Sequence, residues 1–172
     1  MPRAHRRRPD HVDRVLADWA RERPALDTSP AQVIGRIGRI AALIQPRTDA
    51  TLAPFGLTGA GFDVLATLLR AGPPHRLAAG RLAASTLKTS GTITARIDRL
   101  AGAGLVRREP DPDDRRGVMV ALTPLGIERL DAAVGAHLMA QEEILSDLAP
   151  PERRRLAEGL STLLSGLENP AG

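Results

Sequence analysis

Apolar residues recur with a helical period along most of this chain, and the period breaks where proline and glycine stand. Between about residues 10 and 23, Val12, Val15, Leu16 and Trp19 fall at i, i+3, i+4 and i+7. That spacing predicts one amphipathic helix, closed by Pro24. Ser29-Pro30-Ala31-Gln32 then combines an N-cap, a first-turn proline and a capping-box glutamine. Val33, Ile37, Ile40 and Ile44 carry this second helix to about Leu52. A third helix is expected from Thr58 to just before Gly72-Pro73-Pro74, with Phe62, Leu65 and Leu69 on its apolar face. Asp63 falls with Thr67 and Arg70 on the polar side of that helix, a position that reads as solvated.

The middle of the chain has a different rhythm. Residues 77–86 and 89–103 read as two short helices, the second closed by Gly104. Strand-like Leu105-Val106-Arg107-Arg108 follows, then the polar run PDPDDRRG (110–117), then a second strand from Val118 to Leu122. Two strands joined by a charged Pro/Asp/Gly loop predict a hairpin. Thr123-Pro124 starts a long helix to about Leu148, and after Pro150-Pro151 the stripe Leu156, Leu160, Leu163, Leu164 and Leu167 marks a last one. No internal repeat is evident. The predicted organisation is a basic tail (1–9), N-terminal helices (10–57), a helix–helix–hairpin core (58–122) and C-terminal helices (123–172). The flanking helices carry apolar stripes beyond the needs of that core, and a symmetric dimer is the economical use for them.

Composition narrows the chemistry. The 172 residues include no cysteine, which removes disulfides, thiolate metal sites, cysteine nucleophiles and thiol redox switches. His5, His11, His75 and His137 lack ligand spacing, so no metal and no cofactor is expected. There is no Gly-rich phosphate loop and no serine in a nucleophile elbow, which argues against an enzyme. Trp19, Phe55 and Phe62 are the only aromatics, so the core is aliphatic. No apolar run reaches membrane-spanning length, and MPRAHRRRPD lacks the apolar region of a signal peptide. No membrane partner is expected, and the cytoplasm is the expected address. The formal net charge is +4, and every cation except Lys88 is arginine. That balance suits an acidic partner.

Two short helices followed by a basic-tipped hairpin are the parts of a winged helix-turn-helix, whose second helix enters the major groove of double-stranded DNA while the wing reaches phosphate. On the 89–103 helix, Ile93, Ile97 and Leu100 share one side, and Thr92 and Arg99 share another. Ser90 stands at its amino-terminal end. Arg99 is placed to read a guanine edge or hold a phosphate, and Arg115 and Arg116 crown the wing. Asp98, Glu109, Asp111, Asp113 and Asp114 offset much of this charge, so the positive surface must be local, and Asp114 is expected to orient a wing arginine. The fold class is therefore mainly α with a small β-hairpin wing. A nonspecific architectural DNA-binding protein would fit the basic tail and wing as well; binding random duplex as tightly as a specific site would mark it.

The run SGTITARIDRLAGAGLVRREPDPDDRRGVMVALTPLG (90–126) strongly resembles the winged-helix core of MarR-type transcriptional regulators, including Asp114-Arg115-Arg116 followed by Val120, Leu122 and Thr123. The resemblance extends over about 10–168. VLADWARERPALDTSPAQVIGRIGRI, FDVLATLLRAGPP and TARIDRL look like the PecS-type, urate-responsive branch, with its extra N-terminal helix. It implies a homodimer built from the terminal helices, a pseudopalindromic operator, and a repressor released by urate. It also implies a ligand set of one tryptophan, one aspartate and two arginines, matched here by Trp19, Asp63, Arg96 and Arg108. Residue chemistry alone reads Trp19 as core packing and Arg108 as a wing-base phosphate contact, while Arg96 borders the Ile93/Ile97 face, inward of Arg99. The implied mechanism pairs Asp63 with Arg108 in the DNA-binding state and seats a planar anion between Trp19 and Arg96. Another small anion, such as citrate or aconitate, is the alternative ligand.

Overall fold

The computed structural model describes residues 8–86, 93–112, 114 and 117–169. The elements, in order, are α1 (His11–Glu22), α2 (Ser29–Leu52), a 3-10 turn (Ala53–Phe55), α3 (Gly59–Arg70), β1 (Arg76–Ala78), α4 (Ala79–Ser85), α5 (Ile93–Gly102), β2 (Val106–Pro110), β3 (Val118–Leu122), α6 (Pro124–Ile144) and α7 (Pro150–Glu168). The chain divides into two compact units, Met1–Arg47 and Thr48–Gly172. That division falls inside α2. Its reason is local to the second unit: Leu52 is fully buried in that unit's core, and Asp49 accepts the backbone N–H of Gly59 at 2.7 Å.

In the first unit a capping box starts α1. Asp10 Oδ1 accepts the Asp13 N–H at 2.9 Å, and Asp13 Oδ2 accepts the Asp10 N–H at 2.8 Å. Arg36 of α2 reaches the same two carboxylates, with Nε 2.9 Å from Asp10 Oδ2 and Nη2 on Asp13. These bonds, that to Asp10 foremost, hold the Arg36 guanidinium above its ordinary pKa. Val12 is buried against Gly35, where a Cβ would come within 3.3 Å of Val12 Cγ1. The rest of the α1 stripe is less covered: Trp19 is 48% exposed within the chain, so the core-packing reading does not hold for a single chain.

The second unit holds the main core. Leu52, Val64, Leu65, Leu68, Leu82, Ile97, Leu105 and Val120 are fully enclosed, and burial of each such side chain stabilises the fold by about 2 kcal/mol. Thr58 caps α3 by accepting the Gly61 N–H at 3.1 Å, and Thr123 caps α6 by accepting that of Gly126 at 3.0 Å. A three-stranded antiparallel sheet has the order β1-β3-β2. Its hairpin register places Val106 opposite Leu122, Arg108 opposite Val120 and Pro110 opposite Val118.

The structure differs from the sequence reading in several places. Arg76–Ala78 is a strand, although 77–86 reads as helix, because these residues pair with Met119–Ala121 of β3. Leu105 is buried just ahead of β2, which starts at Val106. Asp63 and Thr67 are only 6% and 5% exposed, so these two are enclosed by the fold rather than solvated, whereas Arg70 at the end of α3 stays exposed. Ser90 and Thr92, at the start of the expected 89–103 helix, lie outside the described residues.

Candidate nucleic-acid interface

Helix α5 is built to be buried on one side only. Ile97 and Leu100 point into the core, while Thr94, Ala95, Asp98 and Arg99 are exposed. Behind it α4 anchors through Leu82, and ahead of it Gly104, at φ +72°, turns the chain toward β2. The hairpin turn closes where Asp111 N–H reaches Gly117 O at 3.2 Å and Gly117 N–H reaches Asp114 O at 2.8 Å. A Cβ on Gly117 would meet Asp111 Cβ at 2.8 Å, so only glycine passes there without a shift. Arg115 and Arg116, the expected wing cations, lie outside the described residues, so the part expected of Asp114 in orienting one of them falls outside as well.

At the root of the wing the arginines are already paired. Arg107 Nε donates to Glu109 Oε1 at 2.6 Å, and Arg76 Nη1 to Glu109 Oε2 at 3.4 Å. Arg76 and Arg107 both stand opposite Ala121 across β3, so β1 and β2 share this carboxylate over the central strand. The hydrogen bond from Arg107, assisted by Arg76, holds the Glu109 carboxyl below its ordinary pKa. Arg108 Nη2 lies 2.6 Å from Asp98 Oδ1 on α5. The resemblance implies Asp63 as the partner of Arg108 in the DNA-binding state; here Arg108 is paired with Asp98, and Asp63 is buried on α3.

Arg96 is half-buried and Arg99 exposed, the order expected from their angular positions. Both line a cavity of about 260 Å³ between α5 and the start of α3, together with Thr58, Gly61, Leu100 and Leu105. Trp19 belongs to the first unit, where it lines a groove between α1 and α2 with Val15, Leu16, Ile34 and Arg39. Asp63, Arg96 and Arg108 belong to the second. In the sequence Asp98 and Glu109 read only as charge offsets, and Arg76 does not stand out. The available signal was local: Arg107 and Glu109, two apart in a strand, share a face.

A helix–helix–hairpin unit with an exposed arginine on its second helix is a winged helix-turn-helix, a DNA-binding device. The family model described as MarR family matches residues 55–117. The HTH-type transcriptional regulator PecS of Dickeya dadantii is 34% identical over 92% of this chain and 95% of its own length. Among solved structures, AbsC, a MarR family transcriptional regulator from Streptomyces coelicolor, superposes with a TM-score of 0.72 at 26% identity, covering 83% of this chain and 97% of that one. Another S. coelicolor MarR family regulator, solved in complex with DNA, gives a TM-score of 0.73 at 28% identity over 86% of this chain and 93% of its own. The chain belongs to the MarR family of transcriptional regulators, on its PecS-like side, and is not an enzyme.

Proposed function

We propose that this regulator is a homodimeric repressor in the cytoplasm, released from a pseudopalindromic operator by urate. The observation that carries the reading is Arg96: a half-buried guanidinium on the inner side of α5, at the wall of the 260 Å³ cavity. An anion that engages it acts directly on the helix that faces DNA. Urate is monoanionic near neutral pH, flat and rich in acceptors, so a guanidinium and an indole suit it. The ligand set is Trp19, Asp63, Arg96 and Arg108, as the PecS-type resemblance implies. The Asp98–Arg108 pair changes the mechanism proposed for it, since a ligand that takes Arg108 must now compete with Asp98. A ligand shifts the equilibrium only through better affinity for the DNA-incompetent state, and a tenfold loss of operator affinity needs about 1.4 kcal/mol of coupling.

The dimer draws support from uncovered apolar side chains. On α7, Leu156, Leu160, Leu164 and Leu167 are exposed, as are Val134, Leu138 and Met139 on α6. DNA contact is assigned to Ser90, Thr92, Arg99, Arg115 and Arg116.

Titration with urate tests the reading. It should quench the fluorescence of Trp19, the only tryptophan, and dissociate the operator complex, whereas neutral adenine should do neither. Arg96→Ala should abolish both responses. Release by citrate or aconitate but not urate would replace the ligand; no response to any small anion would remove the ligand site.

A further inference from the structure

The arginines at the wing root are engaged by carboxylates, and one of these pairs joins the two elements that meet DNA. Asp98 stands on the exposed side of α5, next to Arg99. Arg108 stands on β2, two residues ahead of the wing turn, and the atoms that join them are 2.6 Å apart. Both side chains remain about half open to solvent, at 58% and 42% exposure. Neither is needed to fill the core. A carboxylate in that place opposes the approach of a phosphate backbone, and an exposed ion pair adds little to folding. Its effect must be sought in DNA binding.

We propose that Asp98 is a specificity-determining positioning residue: it holds Arg108 on α5 and so keeps this cation from binding phosphate nonspecifically. The reasoning is electrostatic. A free arginine beside the groove adds one phosphate contact on any duplex, and such contacts position the protein without reading sequence. Held by Asp98, Arg108 is neutralised, and the same bond fixes the direction in which β2 leaves α5. The recognition helix and the wing then present themselves in one geometry, which only a matching site satisfies fully. Glu109 does the same on the neighbouring face, where it occupies Arg76 and Arg107. After this pairing Arg99 is the exposed arginine of α5 that lines the cavity by α3, distinct in role from Arg108.

The test uses the full-length protein without added ligand, so it does not depend on the urate reading. Binding is measured by fluorescence anisotropy across a salt series. The probes are a random-sequence duplex and a duplex selected by the wild-type protein from a random pool. Asp98→Asn should bind random duplex about fivefold more tightly at 0.15 M salt, the counterion-release gain of one phosphate contact referred to 1 M. Its salt slope on that duplex should steepen by about one. Affinity for the selected duplex should not rise, because there the added contact is offset by loss of the helix–wing geometry that the Asp98–Arg108 bond fixes, so the ratio between the two falls. Adding Arg108→Gln to Asp98→Asn should return the random-duplex slope to the wild-type value, because the freed cation is gone. The melting temperature should move by no more than about 3 °C in either variant. An unchanged slope in Asp98→Asn overturns the proposal, as does an equal gain on both duplexes. A gain that survives Arg108→Gln also overturns it, since Asp98 would then act by simple repulsion.

Discussion

Gly126 in the first turn of α6 is the position where one methyl group should do most damage. A Cβ built there overlaps the carbonyl oxygen of Leu105 and lies 3.0 Å from both the Leu105 carbonyl carbon and Leu122 Cδ1. The obstruction is backbone, so it cannot swing aside. That carbonyl also accepts the Thr123 N–H at 3.1 Å and the Thr123 hydroxyl at 3.1 Å, and Thr123 Oγ1 caps α6. Moving Leu105 away therefore disturbs the cap, the entry to β2 and the buried Leu105 side chain together. Overpacking of this kind costs about 1–3 kcal/mol, and a weakened cap about 1 kcal/mol more. Against this, alanine is favoured over glycine in a helix by about 1 kcal/mol. Overpacking wins, and Gly126→Ala should destabilise the protein by about 1–3 kcal/mol, lowering the melting temperature by roughly 3–10 °C. Gly80→Ala, with no atom within 4 Å of its added Cβ, serves as the control and should be neutral or slightly stabilising. Thermal melts followed by circular dichroism, with urea titrations to extract the free energy, measure both. A Gly126→Ala melting temperature within 2 °C of wild type, taken as roughly the shift of 1 kcal/mol or less, would refute the reasoning.

Two further outcomes follow from charge and surface. If the proposed dimer forms through α7, Leu160→Arg with Leu164→Arg should give a folded monomer in light scattering, with the circular dichroism spectrum retained; a dimer that persists would move the interface elsewhere. For Glu109, whose pKa is held down by Arg107 and then Arg76, the stabilising pairing is present above the ordinary glutamate range and lost as pH falls through the lowered midpoint. NMR titration of its carboxyl should therefore give a lower midpoint in wild type than in Arg107→Gln, and equal midpoints would show that the hydrogen bond does not persist in solution.

The sequence by itself determined whatever depends on neighbours along the chain. The 3.6-residue stripe of Val12, Val15, Leu16 and Trp19 specifies a helix, Ser29-Pro30 and Thr123-Pro124 mark helix starts, and the Pro/Asp/Gly run before Val118 specifies a hairpin. Each signal is complete within a few residues. The family resemblance rested on the same local runs. Only the tertiary structure decided what depends on residues far apart. Arg76–Ala78 is too short to show a period and becomes a strand because β3 offers it an edge. Asp63 looks solvated from its own helix and is buried because other elements close over it. Asp98 and Arg108 are ten positions apart, on a helix and a strand, and nothing in their spacing announces a bond. The turn at Gly104 and the register of β2 on β3 bring their charges to 2.6 Å. Charge pairing acts over a few ångströms in space and is indifferent to distance along the chain, so the pairing of Asp98 with Arg108 was made by the fold.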